Sequence, residues 1–453
     1  MKRENLTKRE ILVVASMLFG MFFGAGNLIF PVYMGQAAGS RMWISALGFI
    51  VTGVGFPLLA VAALGISRSS GLLELSSRVG RGYGYFFTCA LYLTIGPAFA
   101  IPRCASTPFS VAVQALLPAD CNLTLAQAIF TLVFFAIVLV FSLKPSGILT
   151  WIGKILTPVF LVCLGILVVA SLVAPIGSIR EIEPSGQYAQ AAFSQGFLEG
   201  YNTMDALAGL AFGIVVVNVI RGLGVEKPEA VAKNTVLGGV FSCIIMAVIY
   251  VFVTVMGAQS RGAFPVFSNG GEALAAIADY YFGKTGALIL ALIVTFACLK
   301  TSIGLVTSCG EAFCDMFPKG PSYTVWAVIY CVLSLLVANL GLTSIITYAV
   351  PVLMFLYPLA ITLILLSLCS KLFGGSRCVY VSVTVFALSA AVFDFINALC
   401  KALPQGSALA ASLAPVVGFA SSVLPLFELG LGWIVPSIVG LAIGLIIKAI
   451  RKK

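Results

Sequence analysis

The residues able to do chemistry in this chain are few, and three clusters of them interrupt long apolar runs. The first reads Phe22-Phe23-Gly24-Ala25-Gly26-Asn27-Leu28-Ile29-Phe30-Pro31. Two glycines bracket one residue, Asn27 brings an amide into apolar surroundings, and Pro31 removes a backbone donor. A helix broken there presents free N–H groups at the start of its second half, and such an end suits an anion such as a carboxylate. Carbonyls ending the first half suit a cation. The second cluster runs Gln195-Gly196-Phe197-Leu198-Glu199-Gly200-Tyr201-Asn202-Thr203-Met204-Asp205. A charge at mid-bilayer costs at least about 2.5 kcal/mol, so Glu199 and Asp205 face a cavity or a partner. The third holds Lys300, Thr301 and Ser302, then Gly304, Thr307, Ser308 and Glu311. The paired hydroxyls, joined by carbonyls of a neighbouring helix, would make an oxygen cage for a small hard cation. Lys300 snorkels, pairs with a carboxylate, or stands in for a cation as a titratable ammonium. Each cluster also has a plain structural reading, since Gly, Ser and Thr are common where membrane helices pack.

The elements that carry these clusters follow from composition. Of 453 residues, 60% are hydrophobic and only 9% charged, against about 25% charged in soluble domains; the mean hydropathy is +1.11. Too few charges are present to cover a soluble surface of this size, whereas lipid tails need none. At about 20 residues per span, the chain has room for roughly twelve. Apolar runs and their breakers predict spans near residues 10–34, 43–66, 83–113, 124–142, 150–174 and 191–220. The remaining six are predicted near 233–257, 284–312, 322–340, 342–370, 378–400 and 430–449. Residues 404–425 are apolar but rich in Ala, Ser and Pro, and are left open between a re-entrant and a surface helix. The charged residues 1–10 precede an apolar run that lacks a small-residue cleavage site, so it reads as a retained first span. The outer connection 257–284 contains a short helix over 272–282, either a lid or a connector.

The 26 Lys and Arg give the orientation. Arg41, Arg180, Arg261, Lys284 and Lys401 fall in outer loops, Arg103 and Lys300 fall inside spans, and the other nineteen fall on the side of the N-terminus. Positive-inside bias then places both termini in the cytoplasm. The net charge of +10 is thus a topological signal, with anionic membrane lipid as its partner and no nucleic acid. With 12 Cys in no Cys-x-x-Cys pair and no His, a conventional zinc or haem site is not expected, and no cofactor is called for.

The interrupted spans, first and sixth, lie five apart. An odd number of spans separates equivalent segments in opposite orientation, which fits an inverted repeat of five plus five, the usual pointer to a transporter's site. The expected fold is all-α: one polytopic domain over 1–453, repeats at about 10–174 and 191–370, and extra C-terminal helices at about 378–449.

The segment Phe22 to Pro31 resembles the opening signature of the bacterial branched-chain amino acid:cation symporter family, within the amino acid–polyamine–cation superfamily. Leu91-Tyr92-Leu93-Thr94-Ile95-Gly96-Pro97-Ala98-Phe99-Ala100-Ile101-Pro102-Arg103, Gly196-Phe197-Leu198-Glu199-Gly200-Tyr201 with Thr203-Met204-Asp205, and Ala297-Cys298-Leu299 with Thr301-Ser302-Ile303-Gly304-Leu305 are similar too. The likeness extends along nearly the whole chain. It implies the five-plus-five fold of sodium-coupled amino-acid transporters. It also implies a substrate site at Gly24, Ala25, Gly26 and Asn27, which would hold the carboxylate, and at Phe197, Leu198, Glu199 and Gly200, which would receive the ammonium. Na⁺ would be held by Thr301 and Ser302 with carbonyls near Phe22 and Phe23. The family's pattern has a small or uncharged residue where this chain has Lys300; sodium stays the first expectation, with proton coupling the alternative that this lysine raises unless it points away from the site.

The function so expected is secondary active import of leucine, isoleucine and valine with Na⁺ or H⁺ across the bacterial cytoplasmic membrane; the other reading is an uncoupled, channel-like facilitator for small neutral solutes. No Gly-x-x-x-x-Gly-Lys-Ser/Thr run marks a nucleotide site. Glu199 and Asp205 lie about 1.7 helical turns apart, a poor arrangement for paired acid–base catalysis on a regular helix. An enzyme is not expected.

Overall fold

A computed structural model describes residues 4–24, 26–67, 69–114, 117–118, 120–143, 148–404 and 406–451, all of them in helices and connections. The first span is two helices, α1 (Lys8–Phe22) and α2 (Gly26–Ala38). A reciprocal cap between Thr7 and Glu10 starts α1, satisfying N–H groups the first turn cannot. There follow α3 (42–67), α4 (81–113), α5 (Leu123–Leu143) and α6 (Ile148–Val173). The sixth span is again two helices, α7 (Tyr188–Glu199) and α8 (Asp205–Gly222), joined by a tight turn over Gly200–Thr203.

The chain continues through α9 (Pro228–Ser260), α10 (270–282), α11 (284–316), α12 (Tyr323–Ala338) and α13 (Leu342–Leu368). It ends with α14 (Arg377–Ala402), α15 (Ala408–Val423) and α16 (Ile434–Arg451). Among the described residues eight helices are long and apolar enough to cross a bilayer, nine with the bent α8 counted. The split first span, the part of α6 whose side chains are described, and the 16-residue α12 account for the remainder of the twelve expected. Residues 404–425, left open by the sequence, contain α15, a largely exposed helix with Pro415 inside it.

The helices sort into two groups. The two broken spans pack with α3 and α9, while α4, α5, α11 and α12 pack with one another, and α6 leans on α11. The enclosed α13 runs beside α3, and α14 and α16 pack outside it. Within the first group the approach is backbone to backbone. A Cβ on Gly48 would strike the Phe193 carbonyl oxygen, and one on Gly196 the Ser45 carbonyl oxygen. Neither oxygen sits on a flexible side chain, so α3 and α7 would have to separate. Overpacking of this kind costs about 1–3 kcal/mol or more. Gly196→Val is therefore expected to lower the melting temperature of the purified protein, whereas Gly418→Ala, with open space around it, leaves it unchanged.

The connection 257–284 lies across α2, the second half of the first span. Asn269 caps α10, accepting from the N–H groups of Gly271 and Glu272 at 2.9 and 3.1 Å, and donates to Thr343 on α13 at 3.0 Å. Gln36 of α2 donates to Ser260 at 2.8 Å and accepts from the Phe267 N–H at 3.2 Å. Gly283 then turns the chain into α11 with φ +59°, a left-handed conformation that glycine adopts without steric cost.

Candidate binding site between the broken helices

At the first break, Asn27 replaces the missing helical bonds. Its Oδ1 accepts from the Gly24 N–H at 2.8 Å, and its own N–H donates to the Gly24 carbonyl at 3.2 Å. Its Nδ2 donates outward, to Asp205 Oδ2 at 2.5 Å and to the Tyr250 hydroxyl; Tyr250 in turn donates to Asp205 at 3.3 Å. One buried amide thereby ties the break in the first span to the start of α8 and to α9.

At the second break the chain tightens over Gly200–Thr203 and reverses at Met204, whose φ is +63°. Thr203 Oγ1 donates to the Gly200 carbonyl at 2.9 Å and accepts from the Asp205 N–H at 3.3 Å. The carbonyls of Asn202 and Thr203 point at α4, where Arg103 Nη1 and Nη2 donate to them at 2.5 and 3.4 Å.

Between the two helix groups lies a cavity of about 640 Å³. Its polar lining includes Gly24, Gly26, Asn27, Arg103, Asp205 and Lys300, and its apolar lining includes Ile95, Ala100, Met204, Ala208 and Leu305. A second cavity of about 630 Å³, lined by Glu74, Arg81, Glu311 and Asp315, shares Phe212, Val215 and Ser308 with the first. The two together lead from the breaks toward the face that carries the start of α1.

Gly24, Gly26, Asn27 and Phe22 line the central cavity, while Ala25 lies outside the described residues. Phe23 stacks on Phe19 with ring centres 4.9 Å apart. Lys300 and Thr301 also line the cavity. Lys300 Nζ lies 3.3 Å, and Thr301 Oγ1 3.7 Å, from where a Cβ on Gly20 and on Gly24 would sit. Ser302 is buried away from that lining, beside Cys104.

Phe197, Leu198, Glu199 and Gly200 stand outside the lining of this cavity. The Phe197 carbonyl accepts from Thr52 at 2.7 Å, and Gly200 packs on Thr52 so closely that a Cβ would strike its hydroxyl. Leu198 points toward Gly430, and Glu199 lies among Tyr33, Tyr188 and Asn202. The cavity's charged residues Arg103 and Asp205 were visible as charges inside apolar runs. Tyr250, by contrast, carries no sequence signal.

A polytopic helical protein with two broken spans facing a largely apolar cavity has the architecture of a membrane carrier for a small solute. Its sequence matches the family model described as branched-chain amino acid transport protein over residues 7–451. The chain belongs to that family. Over 451 residues it is 53% identical to the branched-chain amino acid permease BrnQ of Lactobacillus delbrueckii subsp. lactis, covering 100% of this chain and 99% of the relative. It is 40% identical to BrnQ of Bacillus subtilis, covering 99% of each. Among solved structures it resembles the nucleobase-cation-symport-1 transporter Mhp1 in its closed conformation, with TM-score 0.58 and 16% identity over 96% of this chain and 91% of that one. It also resembles an Eremococcus coleocola manganese transporter, with TM-score 0.60 and 14% identity over 99% and 98%. At these identities the likeness speaks to fold alone: an all-helical transporter architecture.

Proposed function

We propose that this chain imports leucine, isoleucine and valine across the bacterial cytoplasmic membrane by symport with a cation, with both termini in the cytoplasm and residues 10–174 and 191–370 as its two inverted halves. The observation that carries this reading is a cavity that touches both breaks. An α-amino acid has two charged ends and one side chain. The start of α2 suits its carboxylate, and Asp205 beside the second break suits its ammonium. Ile95, Ala100, Met204, Ala208 and Leu305 supply an apolar wall for an aliphatic side chain.

Such a wall separates substrates differing by one methylene by only about 1–3 kcal/mol. A ten-fold excess of valine or isoleucine is therefore expected to cut labelled leucine uptake by more than half, while glutamate and lysine leave it untouched. Leucine uptake that ignores excess valine would contradict this pocket.

The coupling cation acts where α1 meets α11. Lys300 lies against Gly20 there and lines the cavity beside Thr301, and among the described residues no carboxylate bonds to it. A positive charge at that spot opposes Na⁺, so the proton is the favoured coupling ion, carried by Lys300. Na⁺ held by Thr301, Ser302 and carbonyls near Phe22 and Phe23 is the competing reading. Leucine uptake into proteoliposomes under an inward proton gradient, then an inward Na⁺ gradient, separates them. Accumulation with the proton gradient alone, lost in Lys300→Ala while leucine counterflow persists, is the expected result. Accumulation with Na⁺ alone assigns the ion to the hydroxyl site, and equilibration without accumulation under either makes the chain a facilitator.

A further inference from the structure

We propose that Arg103 is the anchor for the substrate's carboxylate, acting together with the first turn of α2. This deepens the transport reading above and rests on it. Arg103 is 6% exposed yet contributes to the cavity wall beside Gly24, Gly26 and Asn27. Its guanidinium is aimed at the break: a Cβ on Gly26 would lie 2.8 Å from Nη2. The Phe30 ring of α2 holds it from one side, 5.0 Å from Cζ.

Among the described residues the guanidinium's charge has no anionic hydrogen-bond partner. A guanidinium has five N–H donors, and Arg103 uses two, on the carbonyls of Asn202 and Thr203. Its Nε is buried with no acceptor among the described residues. Asp205, the carboxylate that acts on it electrostatically, instead receives Asn27 and Tyr250. Carbonyl dipoles offset a buried cation only in part, and a full anion on a planar fork does so far better. The N-terminal end of α2 favours an anion at the same place. A carboxylate docked on both would be tied to the first span directly and to the second break through the Asn202 and Thr203 carbonyls. Ligands with the same ammonium and side chain but no carboxylate would then be rejected.

The test compares L-leucine with L-leucinamide, which keeps the ammonium and the isobutyl group, in binding to purified full-length protein in nanodiscs. Wild-type protein is expected to bind leucine at least ten-fold tighter. Arg103→Gln should weaken leucine by about 10- to 100-fold, the worth of a charge-assisted hydrogen bond, and leave leucinamide within about three-fold of wild type. If Arg103 were only a strut between α4 and the second break, both ligands would weaken together, and that result overturns the proposal. So does unchanged leucine binding. Where Arg103→Gln does not yield folded protein, Arg103→Lys decides, because it keeps the charge and loses the fork. At least three-fold weaker leucine with unchanged leucinamide is then expected, and equal or absent weakening overturns the assignment. Wild-type protein that binds no leucine at all would instead sink the transport reading and not the role of Arg103 alone.

Discussion

Asn27→Ala is expected to reduce the initial rate of leucine uptake by at least ten-fold, with the protein still inserted in the membrane. The substitution removes three contacts at once. The Gly24 N–H loses its acceptor, and the carboxylate of Asp205 and the Tyr250 hydroxyl each lose the amide that donates to them. A buried polar group left without its partner costs about 1–3 kcal/mol, and a charged one more; each 1.4 kcal/mol is a factor of ten in an equilibrium. The loss falls on the geometry of both breaks and leaves the apolar packing that holds the helices together. Labelled leucine uptake normalised to inserted protein makes the measurement. Uptake within two-fold of wild type would mean that the amide does not organise the site.

The breaks differ in how far sequence alone reveals them. Gly24, Gly26, Asn27 and Pro31 each disfavour or complicate a regular helix for a separate chemical reason, and the helix does stop between Phe22 and Gly26. The second break is harder to place. Glu199 and Gly200 draw the eye, yet α7 continues through Glu199, and the reversal comes at Met204. A methionine at φ +63° has no propensity signal behind it, because surrounding contacts impose that conformation. In the same way, the spacing of Thr301 and Ser302 says that two hydroxyls are adjacent. On a helix, adjacent residues face about 100° apart, and only the packed structure puts Thr301 on the cavity and leaves Ser302 off its lining.

Charges inside apolar runs were more informative than motifs of small residues. Arg103 and Lys300 violate the expectation for a lipid-facing helix, and both line the cavity. Their roles depend on partners that lie far away in sequence. Arg103 reaches carbonyls about a hundred residues on, and Asn27 reaches an aspartate 178 residues on. Periodicity and hydropathy carry no information about such pairings. The span pattern was legible because the bilayer imposes a length and a polarity on every helix. No comparable rule fixes which side chains meet between them.

Gly26→Ala and Gly24→Ala make a paired prediction that isolates this geometry. Both glycines belong to the same break, and a propensity argument treats them alike. Their surroundings do not. A Cβ on Gly24 would meet Asn27 and Thr301 at 3.7 Å, ordinary contact. A Cβ on Gly26 would meet Arg103 at 2.8 and 3.2 Å and the Phe30 ring at 3.2 Å. The Phe30 ring is buried and the guanidinium is tied to two carbonyls, so neither yields freely. Overpacking at about 1–3 kcal/mol corresponds to a loss of roughly 5- to 150-fold. Gly26→Ala is therefore expected to impair leucine uptake within that range, and Gly24→Ala to remain within about three-fold of wild type. Equal impairment by both would mean that the break itself, through backbone freedom at each glycine, governs transport. The predicted asymmetry would instead locate the sensitivity at the contact between the first turn of α2 and Arg103.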